Sequence, residues 1–189
     1  MELWLIRHTT PDVEKGTCYG QLDLDVDNSF ERETSEIREK VNALVPDAIF
    51  SSPLKRCQKL AKALFPDQAI NIDERLMELN FGDWEGQLWA NIPYRTLDDW
   101  SNNFVQQGPP NGESFQSLLN RTHEFESLVQ EKKGNRHVIV THAGIIRAFL
   151  MQYLQIPANK AFSLQLNYGA IVKITIHSKD YQQVEFIKG

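Results

Sequence analysis

Short apolar runs alternate along the chain with longer stretches in which apolar residues recur every three or four positions. Leu3-Trp4-Leu5-Ile6 and His137-Val138-Ile139-Val140 read as buried strands, with Ala48-Ile49-Phe50 and Ala69 to Ile72 between them. Ala170 to Ile176 and Val184 to Ile187 predict a terminal strand pair, joined by a polar turn at Ser178-Lys179-Asp180. Helical period marks four segments. Ser35 to Val45 is stopped by Pro46. Ser52-Pro53 is a start signal for the stripe Leu54, Cys57, Leu60, Ala61 and Leu64. Phe115, Leu118, Leu119, Thr122, Leu128 and Val129 make another stripe. Ile145, Ile146, Phe149, Leu150, Tyr153 and Leu154 make the last, after Gly144. This alternation predicts an α/β fold, a three-layer α/β/α sandwich around a mostly parallel central sheet.

A chain of 189 residues without repeat, linker or low-complexity tract reads as one domain, residues 1–189. Its aromatic stretch from Gln87 to Phe104 predicts a helical excursion at about 87–110, serving either as a cap over the substrate or as core. The net charge of −5 offers no general attraction for nucleic acid or an anionic membrane. Positive charge for an anionic substrate must therefore come from a few placed residues. No apolar run approaches the ~18 residues of a membrane span, and Leu3 to Ile6 is too short for a signal peptide. The expected location is the cytoplasm. Cys18 and Cys57 predict two reduced thiols, not a disulfide framework.

In a parallel sheet the ligand site lies beyond the carboxyl ends of the strands. Three predicted strands end in unusual polar residues: Arg7-His8-Thr9-Thr10-Pro11, Ser51-Ser52-Pro53-Leu54-Lys55-Arg56, and Thr141-His142-Ala143-Gly144. Each histidine or arginine alone has a structural explanation. Together they place cations where mutual repulsion calls for an anion, and arginine's planar fork suits phosphate. Two chemistries then stay open: a neutral imidazole attacking phosphorus, or histidines and carboxylates holding a metal that activates water. Adjacent arginines favour the first, and no Asp-rich or His-x-His pattern supports the second. His123, His137 and His177 read as non-catalytic. A leaving alkoxide also needs a proton donor. Glu78 is the best placed, although periodicity alone does not choose it over Glu74, Asp83 or Glu85.

These residues carry a resemblance to the histidine phosphatase superfamily, also called phosphoglycerate-mutase-like. Its R-H motif matches Arg7-His8, and S-S-P-L-x-R matches Ser51 to Arg56. L-x-E-x-x-F-G-x-W-E-G matches Leu76 to Gly86, G-E-S matches Gly112 to Ser114, and T-H-x-G matches Thr141 to Gly144. One R-H pair is weak evidence; these motifs in family order are strong. The resemblance implies a phosphoglycerate mutase-like fold and a phosphatase with no metal and no cofactor. His8 would be the nucleophile, Arg7, Arg56 and His142 the phosphate pocket, and Glu78 the proton donor. The implied partner is a small-molecule phosphomonoester, with no nucleic acid and no membrane; a homodimer is compatible with this.

Two departures stand out. The family's usual R-H-G-E-T is replaced by Arg7-His8-Thr9-Thr10-Pro11, which puts a side chain beside the phosphate and removes an acid. Where many members place a phosphate-binding asparagine, ungapped counting lands on Glu14. The segment Gly16 to Asp23 is similar to the Y-G-Q-x-D loop of the α-ribazole phosphatase subgroup, which acts in cobalamin assembly. Tyr19, Gln21 and Trp84 are the implied substrate contacts, Trp84 by stacking on a base. A broad-specificity small-molecule or sugar phosphatase is the alternative. A phosphoglycerate mutase and a phosphate-binding regulatory module follow behind it.

Overall fold

The computed structural model describes residues 1–189. Six strands form one sheet: β1 (Glu2–Arg7), β2 (Ala48–Ser51), β3 (Ile70–Ile72), β4 (Arg136–Thr141), β5 (Ile171–Ser178) and β6 (Tyr181–Lys188). Their spatial order is β3-β2-β4-β1-β5-β6. The first four in that order are mutually parallel, while β5 runs antiparallel to β1 and β6 antiparallel to β5. The sheet is thus mostly parallel, as the alternation predicts, with an antiparallel hairpin at one edge.

Five α-helices accompany it: α1 (Phe30–Val41), α2 (Lys55–Leu64), α3 (Tyr94–Asn103), α4 (Phe115–Glu131) and α5 (Ala143–Leu154). The period of two along each strand explains why the central runs are apolar without interruption. Leu3, Leu5, Phe50 and Ile139 belong to a core shared with α4 and α5. Ile6, Ile49, Val138 and Val140 belong to a second core shared with α1 and α2. Both faces are covered, which gives the three layers. No helix is long and apolar enough to cross a membrane.

Two helix boundaries differ from the expectation. α1 occupies Phe30–Val41 rather than Ser35 to Val45. Asp27 starts it, accepting from the Ser29 N–H (2.8 Å), and Glu31 and Glu33 sit in the first turn, where the helix dipole favours acids. Its far end falls short at Val41, where a turn follows in which Leu44 N donates to Val41 O at 2.9 Å. α2 begins at Lys55, so Ser52 and Pro53 precede the helix. The Ser52 hydroxyl serves His142 instead, at 2.8 Å.

The excursion after Gln87 is helical, comprising a 3-10 turn (Trp89–Asn91) and α3. Trp100 packs on Phe81, Trp84, Trp89, Phe104 and Phe162, so these rings form one aromatic cluster continuous with the core.

At the opposite end of β4 from its Thr141 terminus, His137 is fully buried and neither ring nitrogen makes a hydrogen bond. Burial pushes its pKa below the usual 6.5, against the pull of the Asp47 charge. The unfolded chain takes up this proton more readily, so the stability is full above about pH 6.5 and declines as pH falls from there. Urea unfolding across that range should show a shallower acid decline in His137→Leu than in the wild type; an identical slope would exclude the assignment.

Candidate active site

β2, β4 and β1 are neighbours and parallel, so their carboxyl ends bring Ser51-Ser52, Thr141-His142 and Arg7-His8 to one edge. The backbone at His8 is fixed from both sides. Its N–H donates to Thr141 O (3.0 Å), and its carbonyl accepts from Gly169 N (3.1 Å).

The His8 ring has a defined tautomer. Nδ1 lies 2.7 Å from the Thr9 carbonyl, which can only accept, so Nδ1 carries the proton and Nε2 the lone pair. Arg56 Nε donates toward that Nε2 at 3.3 Å. Arg56 Nη2 donates toward His142 Nδ1 at the same distance, which leaves the His142 proton on Nε2, facing Ser52 Oγ. The two imidazoles meet edge to face with centroids 5.0 Å apart. Arg56 therefore bridges both histidines, and its remaining bonds go to the carbonyls of Leu22 and Gly20, each at 2.7 Å.

This cluster is dry. Arg56 and His142 are 0% exposed and His8 1%. Burial holds both imidazole pKa values well below 6.5, and the charges of Arg56 and Arg7 push them the same way. Both rings are neutral near pH 7, the form in which a histidine nitrogen can attack phosphorus. Cys57 lies with Sγ 3.4 Å from His142 Nε2, and burial pushes its thiol up to about 12, so it packs as an uncharged neighbour.

Arg7 reaches the other side of His8. Its Nη1 donates to the Leu166 carbonyl, and its guanidinium lies over the Tyr168 ring at 4.1 Å. Tyr168 in turn shares a hydroxyl–hydroxyl hydrogen bond with Tyr19 and stands 5.6 Å, ring to ring, from His8. Tyr19 and Tyr168 thus face each other beside the nucleophile. Arg147 grips the Leu164 carbonyl through Nε (3.1 Å), making residues 164–168 a wall of the site. Nothing in the sequence marks that wall, since it is an irregular run with no chemical motif.

Geometry chooses among the four acids. Glu74 and Asp83 are exposed. Glu85 is occupied by backbone N–H groups of Gln21, Leu22 and Phe81 at 2.8–3.0 Å, and so fastens the Tyr19–Gln21 loop. Glu78 points at the start of α5. Its Oε1 accepts from Leu79 N (2.9 Å) and Gly144 N (3.0 Å), while Oε2 has only a longer contact to Gly144 N at 3.2 Å. The loop carrying Glu78 is clamped by Arg121, which donates to the carbonyls of Arg75, Met77 and Glu78 at 2.6–3.0 Å. Arg121 is itself held by Glu113, from the G-E-S motif, at 2.6 Å.

The remaining expected residues divide. Gln21 joins the site, its Nε2 donating to the Glu78 carbonyl at 3.1 Å. Trp84 lies 5% exposed in the aromatic cluster, with Trp89 and Trp100 as its ring neighbours. Glu14 is exposed in the loop before Tyr19. No three His, Cys, Asp or Glu side chains are grouped so as to hold a metal ion.

Gly144 lies in close contact with Glu78. A Cβ there would stand 2.1 Å from Glu78 Oε1. The obstacle is the end of a side chain, so Gly144→Ala should keep the fold and displace the carboxylate. Misplacement by about 1 Å can cost about a hundredfold in rate. Phosphatase assays beside circular dichroism should show that loss in a folded protein; wild-type turnover would remove Glu78 from the chemistry.

Comparison with known proteins places this arrangement. Residues 3–188 match the histidine phosphatase superfamily (branch 1). An adenosylcobalamin/alpha-ribazole phosphatase of Escherichia coli (strain K12) is 24% identical over 187 residues, 95% of this chain and 92% of that protein. A metal-independent phosphoserine phosphatase of Arabidopsis thaliana is 29% identical over 194 residues, 97% of this chain and 79% of that one. The crystal structure of the alpha-ribazole phosphatase from Shigella flexneri shares the fold, with a TM-score of 0.88 at 23% identity, covering 98% and 95% of the two chains. The phosphoglycerate mutase-like sheet and the family match along almost the whole length agree: the chain belongs to the histidine phosphatase superfamily and is a phosphatase, an enzyme that hydrolyses phosphate esters.

Proposed function

We propose that the protein hydrolyses phosphomonoesters through a phosphohistidine at His8, without a metal ion, and that its substrate is α-ribazole 5′-phosphate. The observation that carries the mechanism is the neutral His8 ring, with Nδ1–H tied to the Thr9 carbonyl and the Nε2 lone pair turned toward Arg56. That nitrogen carries the lone pair for attack, which passes from the long Arg56 Nε contact (3.3 Å) to phosphorus, and the guanidinium N–H so released meets the charge on the transferred oxygens.

The steps follow from the placement. His8 Nε2 forms a bond to phosphorus as the ester P–O bond breaks. Protonated Glu78 gives its proton to the leaving alkoxide, using Oε2, the less occupied oxygen. The Glu78 carboxylate then takes a proton from water, which attacks phosphorus as the N–P bond breaks. Inorganic phosphate leaves and the imidazole is restored. Arg7 and Arg56, with His142 held against Arg56 through Nδ1, stabilise the equatorial oxygens in both transfers.

Two observations support α-ribazole phosphate: the Tyr19-Gly20-Gln21 loop is tied to the site through Gln21 and Tyr168, and relatives named for that substrate match over nearly the whole chain. A second reading rests on Arg147. It stands one helical turn from Gly144, on the same face of α5, and feels the charges of Glu78 and Arg7. Its one hydrogen bond goes to a carbonyl, so its charge suits a substrate with a carboxylate, such as phosphoserine.

Phosphate release in EDTA from α-ribazole 5′-phosphate, phosphoserine and p-nitrophenyl phosphate separates these readings. Preference for the first is expected, with a loss of more than about a thousandfold in His8→Ala. Preference for phosphoserine, lost in Arg147→Met, would replace the substrate and keep the mechanism. Activity that needs added metal, or that survives in His8→Ala, would overturn the mechanism.

A further inference from the structure

Thr9 stands where the family pattern has glycine, and its side chain is fully buried. Its Oγ1 has no hydrogen-bond partner. Only six buried side-chain nitrogen or oxygen atoms in the chain lack one, and two of them, Arg7 Nε and Thr9 Oγ1, belong to the residues on either side of His8. The others lie elsewhere: Thr34 in α1, Trp100 in the aromatic cluster, and the two ring nitrogens of His137.

A hydroxyl in that condition has lost its water and gained nothing in return, a cost that a methyl group in the same place does not carry. The backbone that carries it is held on both sides. Its carbonyl holds His8 Nδ1 at 2.7 Å, and the next residue is tied to α1, with Thr10 N and Oγ1 both donating to Glu33 at 2.8 and 2.7 Å. Valine has nearly the same shape and would satisfy packing alone. A polar group kept dry and unpaired beside the nucleophile is what a preorganised donor requires.

We infer that the Thr9 hydroxyl is a phosphoryl-binding group: it donates a hydrogen bond to an oxygen of the transferred phosphate, alongside Arg7, Arg56 and His142. This rests on the phosphohistidine reading and adds a donor to the same site. A bond from a neutral hydroxyl to an anionic oxygen is charge-assisted, and its loss is expected to weaken binding about tenfold or more.

Thr9→Val tests this because the two possible roles move stability and binding in different directions. In the unliganded protein Thr9→Val should leave the melting temperature unchanged or raise it. Its affinity for orthovanadate, which mimics the five-coordinate phosphorus, should fall at least tenfold, with a smaller fall for inorganic phosphate. Thr9→Ser, which keeps the hydroxyl, should restore vanadate binding. Vanadate affinity within twofold of wild type in Thr9→Val, or a melting temperature that drops because the hydroxyl has a structural partner, would overturn the inference. His8→Ala is measured in parallel. If it turns over substrate like the wild type, the phosphohistidine reading fails; if it is inactive while Thr9→Val binds vanadate normally, only the role of Thr9 fails.

Discussion

Arg56 carries a permanent charge into a dry interior with no carboxylate beside it, and the arrangement of the site follows from how that charge is held. A buried unpaired cation costs several kcal/mol unless its donors are met. Here two carbonyls, from Gly20 and Leu22, and the lone pairs of His8 and His142 take four of its five N–H groups. Neutral acceptors satisfy its hydrogen bonds without cancelling its charge. The uncancelled field is what helps keep both imidazoles unprotonated, and it is also what a phosphate dianion relieves.

The rest of the fold serves that geometry. The strand order puts β4 between β1 and β2, so both histidines and the loop entering α2 arrive at one edge. Gly20 must be glycine for its carbonyl to reach Arg56, because a Cβ there would sit 2.0 Å from the Leu79 carbonyl. Glu85 then staples the same loop by its backbone N–H groups, and the Glu113–Arg121 pair staples the loop that bears Glu78. Two acids of the motif region thus build the frame, which leaves Glu78 as the one aimed at α5. The division of labour among these carboxylates is set by which backbone donors surround each of them.

Much of this is legible in the residues because it lies on regular elements. The runs Leu3 to Ile6 and His137 to Val140 are buried on both faces, so they read as strands, and the polar residues that end them must lie at the sheet edge. Arg7, His8, Arg56 and His142 could be grouped on that ground. What escaped prediction depends on loops meeting in space. Tyr168 and the carbonyls of Leu164 and Leu166 line the site from an irregular segment, and Tyr168 meets Tyr19 across 149 positions of sequence. Ser52 suits a helix cap by its neighbours, but α2 begins three residues later at Lys55, and its hydroxyl lies 2.8 Å from His142 Nε2. Trp84 looked available for stacking, yet an aromatic cluster only exists once α3 folds back over it.

The central claim is that His8 Nε2 becomes covalently bonded to phosphorus. Glu78→Gln lacks the group that activates water, so with p-nitrophenyl phosphate, whose phenolate leaves without a proton from Glu78, it should accumulate the intermediate. Protein of this variant, mixed with substrate, quenched in alkali to preserve phosphohistidine and digested for mass spectrometry, tests the claim directly. One phosphoryl group, located on His8, is the expected result. Substrate turnover with His8 unmodified, or a phosphoryl group on another residue, would contradict it.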